Sequence, residues 1–300
     1  MKNNQHLQRG MALFQILLLV SVLMVMLLAI NAQSSQHIKL AQAVSDKTEA
    51  DLVLHSQQNQ LIMALLTEKW MQSEQLLTAE KNPFRWNFYD EPFAFNSVEH
   101  RIQDVGSLVN LYSPNERMVS ALFNNAGMKQ ANALGFLASL RDWQDADDEQ
   151  QPLGAEQVSY PSGIIVRNAP VQFEQELLML PAMSEDFYRS IADWLTTYPV
   201  TQQNLYNMPQ PLLSGFFGAD LAGDLIKQRA AGTLSEAVFS GLSGIEVDDF
   251  YTYSAGPVFR LRTVVEVNGI RRGQQLTLVL DPYGTEPVRI WEQRRYNEAE

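Results

Sequence analysis

The N-terminal part of the chain has a charged start followed by a long apolar run. Between Met11 and Ile30 only Gln15 and Ser21 are polar, and about 20 apolar residues are enough for a helix to cross the hydrocarbon core of a bilayer. A cleaved export signal has a shorter apolar region of about 7–15 residues and a small-x-small cleavage site. Ile30 makes a cut after Ala32 a poor match to that site. The pattern therefore predicts a membrane-spanning helix that the mature protein keeps.

A polar stretch with helical periodicity follows the apolar run. Residues 31–77 contain no Pro and no Gly, and apolar residues such as Ile38, Val44, Leu61 and Leu65 recur at roughly helical spacing. We expect one continuous helix, half in the membrane and half packed on a head domain. Pro83 and the aromatic residues that follow it are expected to end this helix.

Beyond the stem, the chain passes through a short strand-like region, a helical region and a second strand-like region. Short β structure is predicted at residues 92–95 and 98–102. Helical patterns cover residues 114–126, 129–141, 174–179 and 185–195, and Ser113 and Ser184 are the predicted N-caps of two of these helices. After Gly244, alternation predicts strands at residues 251–253, 259–265, 276–280 and 288–291. Asn268-Gly269 predicts a two-residue hairpin turn.

The order of these elements predicts the fold class. A short early β segment is not stable alone, so it needs partners from the C-terminal strands. The sequence therefore predicts an α+β protein in which a long N-terminal helix packs on an antiparallel sheet and a large all-α domain is inserted. The predicted boundaries are a leader at residues 1–10, the transmembrane and stem helix with the first part of the head at 11–103, the inserted α domain at 104–240, and the C-terminal β part of the head at 241–300.

Charge and composition exclude several classes of function. The net charge is −12, which argues against nucleic acid as a partner because phosphate binding needs clustered Lys and Arg. The chain has no Cys, so disulfides, thiol nucleophiles and thiolate metal sites are excluded. Lys2 and Arg9 precede the apolar run and the next basic residue is Lys39. This bias predicts that residues 1–9 are cytoplasmic and that the remaining chain faces the opposite side.

An acidic loop, DADDEQQPLGAE at residues 145–156, is a candidate cation site. With Asp145 at position one, Asp147 falls at position three, Glu149 at five and Glu156 at twelve, which is the ligand spacing of a Ca²⁺-binding EF loop. Gln150 stands at position six, where that loop needs Gly, so the segment is not an EF-hand. A solvated acidic loop between helices is the alternative.

Several motifs resemble one family of pilin-like proteins. Gly10, followed by Met11-Ala12-Leu13-Phe14-Gln15 and the apolar run, resembles a type IV prepilin leader, with Gln15 at the mature position where pilins usually carry Glu. The large minor pseudopilin of type II secretion, the general secretion pathway protein K family, typically lacks that Glu. Later segments also resemble this family: Ile102-Gln103-Asp104-Val105-Gly106, Val109-Asn110-Leu111, Leu140-Arg141-Asp142-Trp143-Gln144-Asp145-Ala146-Asp147-Asp148, Gly154-Ala155-Glu156 with Tyr160, Asn168-Ala169-Pro170, Glu176-Leu177 and Asn207-Met208-Pro209. Tyr112 departs from the family pattern, which has a second Asn there.

The resemblance implies a pilin-like head with an inserted α domain and a specific role in assembly. A prepilin peptidase is expected to cut after Gly10 and to methylate the new N-terminus at Met11. The chain is then a single-pass protein of the cell inner membrane with a large periplasmic domain. Its expected partners are the other minor pseudopilins in a tip complex and the major pseudopilin. Together they start and cap the periplasmic pseudopilus that drives export of folded proteins across the outer membrane.

The resemblance also gives roles to Gln15 and to the acidic loop. In the family view, Glu at this position pairs with the N-terminal ammonium of the preceding subunit, and Gln15 has no charge for that pair. A subunit without this carboxylate fits only the tip, whereas the alternative is a tolerated polar residue in a simple anchor. Family members bind calcium in the inserted domain, so Ca²⁺ is the expected cofactor. The expected ligands are Asp145, Asp147 and Glu156, followed by Asp142 and Asp148.

Two other functions fit parts of the sequence. A minor pilin of a type IV pilus would share the leader and the stem, but it would not ordinarily have the inserted domain. A membrane-anchored hydrolase would use carboxylate pairs such as Asp248 with Asp249 or Glu174 with Glu176. Their spacing places no identifiable pair across a cleft, so we expect the protein not to be an enzyme.

Overall fold

The computed structural model describes residues 5–67, 87–95, 98–181 and 183–296. Its α-helices are α1 (Gln5–Thr67), α2 (Glu116–Asn125), α3 (Gln130–Gln144), α4 (Glu185–Ile191), α5 (Gln210–Phe217), α6 (Ala219–Ala231) and α7 (Glu236–Ser243). Its strands are β1 (Phe93–Phe95), β2 (Val98–Asp104), β3 (Val109–Asn110), β4 (Leu195–Thr196), β5 (Gln203–Asn204), β6 (Tyr251–Thr252), β7 (Val258–Val267), β8 (Ile270–Leu280) and β9 (Val288–Tyr296). Short 3-10 helices occupy Val105–Ser107, Gln157–Ser159, Glu174–Met179 and Ala192–Trp194.

Helix α1 is continuous through the apolar run and the stem. The large apolar side chains of its span are at least half exposed. Within the described residues, this is the one helix long and apolar enough to cross a membrane. The predicted continuation of the helix to Leu77 lies outside the described residues, as do Pro83 and residues 84–86.

The chain divides into two compact units. The first contains residues up to 53 together with residues 266–271, and the second contains residues 54–265 and those from 272 onward. Within the first unit, the amide of Asn268 donates to Asp46 Oδ1 at 3.0 Å and to Glu49 Oε2 at 3.2 Å. These hydrogen bonds join the tip of the β7–β8 hairpin to α1.

The second unit contains a five-stranded sheet with the order β1-β2-β7-β8-β9. Strand β2 pairs antiparallel with β7, from Glu99 opposite Val264 to Asp104 opposite Phe259. This pairing confirms that the early strands complete their sheet with strands from the C-terminal end. The hydrophobic core of this part brings together Leu61 and Leu65 of α1 with Phe88, Phe93, Phe95, Ile102, Ala255, Phe259, Leu261, Leu276, Leu278 and Leu280.

The predicted hairpin turn at Asn268-Gly269 is present. Strand β7 ends at Val267 and β8 begins at Ile270, so only these two residues form the turn. Both have positive φ, 51° for Asn268 and 78° for Gly269. A type I′ turn requires this backbone, and Asn-Gly is its preferred sequence.

The helical block lies between β2 and β7 in the chain and has its own core. Helices α2 and α5 approach so closely that a Cβ on Gly215 would lie 2.0 Å from the carbonyl oxygen of Ala121. The core also includes Tyr251 and Tyr253 at its margin. The block therefore extends beyond the predicted boundary at residue 240, because α7 crosses that boundary and β6 pairs in parallel with β5.

The structure corrects some predicted helix ends. The N-cap of α2 is Asn115 rather than Ser113, because the side chain of Asn115 accepts from the backbone N–H groups of Arg117 and Met118. Ser184 is the N-cap of α4, as predicted. The segment 174–179 is a 3-10 helix rather than an α-helix. The helix predicted over 185–195 ends at Ile191, because Leu195–Thr196 pairs with Val109–Asn110 as a short parallel sheet.

Candidate functional site

The predicted leader and assembly residues all lie on α1. Gly10 is followed directly by Met11, whose side chain is 65% exposed. The Gln15 side chain is exposed among Phe14 and Leu18. The hydroxyl of Ser21 donates to the Leu18 carbonyl at 2.7 Å, so that polar group is satisfied within its own helix. The span therefore presents a neutral amide at the position where a charge would need a partner.

A buried carboxylate joins the sheet to both ends of the helical block. Asp104, at the end of β2, is fully buried and accepts from the backbone N–H of Gly106 at 2.9 Å. It also accepts from the side chains of Asn204 at 2.8 Å and Asn207 at 3.0 Å, and from Gly256 N at 3.3 Å. Burial raises the pKa of Asp104, and its hydrogen-bond donors oppose that rise. The Asp104 side chain thus hydrogen-bonds both to the segment that enters the block and to the segment that leaves it.

A buried ion pair fixes the block to the sheet at a second place. Glu174 contacts Arg260 of β7 at 3.3 Å and Arg294 of β9 at 3.0 Å, and the side chains of Glu174 and Arg260 are each 3% exposed. Arg260 also donates to the backbone carbonyls of Asp193 and Leu195. Burial raises the pKa of Glu174, while the two arginines act in the opposite direction.

These contacts bear on the hydrolase alternative. Glu174 is engaged by Arg260 and Arg294, and Glu176 contacts Arg167 at 3.2 Å. Asp248 accepts hydrogen bonds from the backbone N–H groups of Phe250 and Tyr251. Each of these carboxylates therefore has a structural partner. Sequence patterns did not single out the roles of Asp104 and Arg260, because both depend on contacts between residues far apart in the chain.

The acidic loop places several predicted ligands close together. Asp142, in the last turn of α3, is fully buried, and Glu156 is 3% exposed. The backbone N–H of Gln151 donates to Asp142 Oδ2 at 3.2 Å. A Cβ on Gly154 would lie 2.0 Å from the same oxygen, so any other residue at that position would displace the Asp142 carboxylate. Asp145 is partly buried, whereas Asp147 and Asp148 are exposed.

The charges in this loop are only partly compensated. One buried oxygen of Asp145, Oδ1, and both carboxylate oxygens of Glu156 have no hydrogen-bond partner, and neither does the hydroxyl of Tyr160. Burial raises the pKa of Glu156, and the nearby charges of Asp142 and Asp145 raise it further. Burial and the same acidic neighbourhood raise the pKa of Tyr160 to about 12. A cation would relieve this mutual repulsion and supply the missing partners.

The loop therefore has donor atoms suited to a hard cation such as Ca²⁺, which binds carboxylate and carbonyl oxygens. Among the residues that the structure describes, no three His, Asp or Glu side chains are already arranged as a set of metal ligands. The expected ligands are thus neighbours rather than a closed coordination shell.

The long exposed apolar helix, its packing on an antiparallel sheet and the inserted helical block define a membrane-anchored, pilin-like class of protein. Residues 103–200 match the family described as type II secretion system (T2SS), protein K. The chain is 29% identical over 274 residues to type II secretion system protein K of Klebsiella pneumoniae, covering 81% of this chain and 82% of the relative. The match thus assigns residues 103–200 to the type II secretion system protein K family, and the similarity to the Klebsiella protein over most of both chains supports that assignment.

A solved structure has the same fold. It is the crystal structure of the GspK-GspI-GspJ complex from the enterotoxigenic Escherichia coli type 2 secretion system, with a TM-score of 0.52 and 17% sequence identity. The similarity covers 88% of this chain and 99% of the compared chain. The predicted α+β architecture is thereby confirmed. The protein is a minor pseudopilin of the type II secretion system, and neither of these two relatives carries the name of an enzyme.

Proposed function

We propose that this protein starts and caps the tip of the pseudopilus and acts as a non-enzymatic assembly subunit. The observation that supports the proposal most directly is the neutral Gln15 in an exposed apolar helix. The proposed partners are other minor pseudopilins, because the solved complex contains GspK with GspI and GspJ, and the major pseudopilin below them. Processing by a prepilin peptidase would remove residues 1–10 and methylate Met11.

The proposed location is the inner membrane, with a short cytoplasmic N-terminus and a large periplasmic domain. The exposed apolar surface of α1 would be covered by lipid before assembly and by neighbouring helices afterwards. A Glu in this bundle needs a cationic partner, since an unpaired charge is costly in an apolar medium. Gln15 is neutral and needs no cationic partner. A subunit carrying it is therefore suited to the position that has no subunit above it.

The processing step is tested by the intact mass of the protein extracted from membranes, with and without an active prepilin peptidase. We expect a peptidase-dependent loss of residues 1–10 and the addition of one methyl group. An uncut chain, or a cut near Ala32, would contradict the proposal.

The role of Gln15 is tested by Gln15→Glu, with Gln15→Asn as the neutral control. The new carboxylate would lie near one end of the apolar run without a cationic partner, and the cost of such a charge reaches about 2.5–3.5 kcal/mol at the centre of a membrane-spanning helix. We expect export of secreted proteins to fall at least fivefold in Gln15→Glu and to stay near the parental level in Gln15→Asn. Unchanged export and tip assembly in Gln15→Glu would refute a role for the neutral side chain.

We further propose that the acidic loop binds Ca²⁺ through Asp145, Asp147 and Glu156, with Asp142 and Asp148 beside them. The support is the unpartnered buried oxygens of Asp145 and Glu156. A bound cation stabilises the folded chain by linkage, about 2.7 kcal/mol at a free concentration 100 times Kd.

Calorimetry with CaCl₂ and thermal unfolding with and without chelator test this site. We expect chelator to lower the Tm of the parent and of the surface control Glu236→Gln. In Glu156→Gln the chelator effect should be reduced, and calorimetric binding should weaken at least tenfold. An unchanged Tm together with no heat of binding would exclude the site.

A further inference from the structure

The sheet ends in a long strand whose outer edge is open. Strand β9 pairs with β8 on one side, from Gly273 opposite Tyr296 to Leu280 opposite Val288. No strand in the described part of the chain pairs with its other side. The opposite edge strand, β1, has only three residues. An open edge nine residues long presents a row of backbone donors and acceptors to which an extended segment can add.

The edge also carries exposed apolar side chains. Ile290 is 58% exposed and Trp291 is 52% exposed. Trp291 lies at a register shift between β8 and β9, and its ring contacts that of Tyr198 at 5.1 Å between centroids. Charged residues on an edge strand protect it from aggregation, but an exposed Ile and Trp do not serve that purpose. Partly exposed aromatic side chains are typical anchors of interfaces.

The charge of this region is opposite to that of the whole chain. Strands β7, β8 and β9 carry seven arginines and two glutamates, although the net charge of the protein is −12. Arg289 and Arg295 on β9 are exposed, and neither has an ion-pair partner among the described residues. An acidic partner would gain favourable electrostatic energy here, whereas a second copy of this acidic chain would be repelled overall.

A cleft beside the edge extends this basic surface. It has a volume of about 490 Å³. Four arginines, two acidic residues, Val264 and Gln275 line it. Arg295 connects the cleft to the strand edge, since it belongs to both. Side chains of a segment bound along β9 can therefore reach a basic pocket as well as the exposed strand.

We propose that β9 binds an extended acidic segment of a neighbouring minor pseudopilin as an added strand. Its backbone pairs with the open edge, its carboxylates contact Arg289 and Arg295, and its apolar side chains pack on Ile290 on one face of the sheet and on Trp291 on the other. The identity of the partner class rests on the proposed function, but the surface itself rests on the geometry and charge of β9.

The absence of Cys allows a site-directed crosslinking test on the full chain in membranes. Gln293→Cys places a single thiol on β9, and Tyr283→Cys places one on a fully exposed loop as a control. Each is labelled with a photoreactive maleimide in cells that express the other minor pseudopilins with distinguishable tags. We expect Gln293→Cys to crosslink to one of these tagged pseudopilins at least fivefold more than Tyr283→Cys.

Charge variants decide whether the docking is electrostatic. In the Gln293→Cys background, Arg289→Glu with Arg295→Glu should lower the crosslink yield at least fivefold, whereas Arg289→Lys with Arg295→Lys should retain most of it. The parent crosslink should also fall as salt is raised from 50 to 500 mM, which tests the charge effect without a substitution. Equal yields from both Cys positions, or yields insensitive to charge reversal and salt, would overturn the proposal. Leader cleavage and the Gln15→Glu result do not involve β9, so a failure here is distinguishable from a failure of the proposed function.

Discussion

At the scale of single residues, Asp104 connects parts of the chain that the sequence separates widely. Its carboxylate accepts four hydrogen bonds, from residues on both sides of the helical block. The sequence shows Asp104 only as a member of a motif that resembles a family pattern. Its function as a shared acceptor could not be predicted, because Asn204 and Gly256 become its neighbours only after folding.

Replacing Asp104 by Asn should lower stability without changing the volume of the side chain. The amide group would direct N–H groups toward donors that now have no acceptor, and a buried unsatisfied donor costs about 1–3 kcal/mol. We expect Asp104→Asn to lower the free energy of unfolding by that amount in a thermal or denaturant transition. The surface substitution Asp224→Asn should change it by less than about 0.5 kcal/mol. Equal stability of both variants would show that the hydrogen bonds of Asp104 are dispensable.

His100 should make the protein sensitive to acid. It is fully buried between Phe93 and Phe95, its Nδ1 lies 3.0 Å from Thr263 Oγ1, and burial lowers its pKa to about 4. The unfolded chain binds a proton at this residue near pH 6.5 and the folded chain does not. The contribution of neutral His100 to the free energy of unfolding is therefore complete above pH 6.5, and it is lost as the pH falls toward 4.

The matching measurement is the unfolding free energy from pH 7 to pH 4. The loss due to this residue should be about 3 kcal/mol. His100→Phe should remove that part of the slope, and His55→Gln, which removes an exposed imidazole, serves as the control. Asp104 and Glu174 have raised pKa values, so their contributions to stability increase as the pH falls, opposite to that of His100. Both groups are present in the parent and in the variant, so their contributions cancel when the two proteins are compared at each pH. Identical slopes for the parent and His100→Phe would contradict the assignment.

At the scale of elements, periodicity predicts which segments are helices and strands, and tertiary contacts decide where they end. The hairpin at Asn268-Gly269 follows from its sequence because both positions need positive φ. The helix predicted over 185–195 ends early because Leu195 is required in a strand pair with Val109. Such pairings between distant segments carry no local signal.

The crossing of α2 and α5 gives a matched pair of glycine substitutions. Gly215→Ala would bring a methyl group to 2.0 Å from the Ala121 carbonyl, so the two helices must separate. We expect a loss of about 1–3 kcal/mol from overpacking. Gly223→Ala in α6 meets nothing within 4 Å and should stabilise the helix by up to about 1 kcal/mol. Unfolding transitions of the two variants should therefore shift in opposite directions.

At the scale of the whole molecule, the order of elements predicts the architecture of the second unit, but not how the block is attached to the sheet. A short early β segment without partners indicated that the chain returns to the same sheet, and the pairing of β2 with β7 confirms it. The candidate site was predicted only in part. The acidic spacing located the loop, whereas the burial of Asp142 and Glu156 depends on how the loop folds back on α3.

The buried ion pair between Glu174 and Arg260 should be essential to this attachment. Glu174→Gln leaves Arg260 buried without a counter-charge, and breaking a buried pair in this way costs about 3–5 kcal/mol. We expect a corresponding loss of stability and faster amide exchange in residues 174–195. The control Glu185→Gln removes an exposed pair with Arg189 and should cost less than about 1 kcal/mol. Amide exchange that is unchanged in Glu174→Gln would show that the block is held by other contacts.

The pairing of Asp104 with Phe259 also determines the order in which the block and the sheet can fold during synthesis. The strand before the helical block is synthesised early, but its partner β7 is synthesised only after the whole block. If the block folds first on its own core, the two strands are joined by a folded unit instead of a long flexible loop, so most of the entropic cost of closing that loop has already been met when they pair. The sheet is then the last part of the molecule to form, and a released chain that ends before residue 258 would carry a folded insertion beside an incomplete sheet.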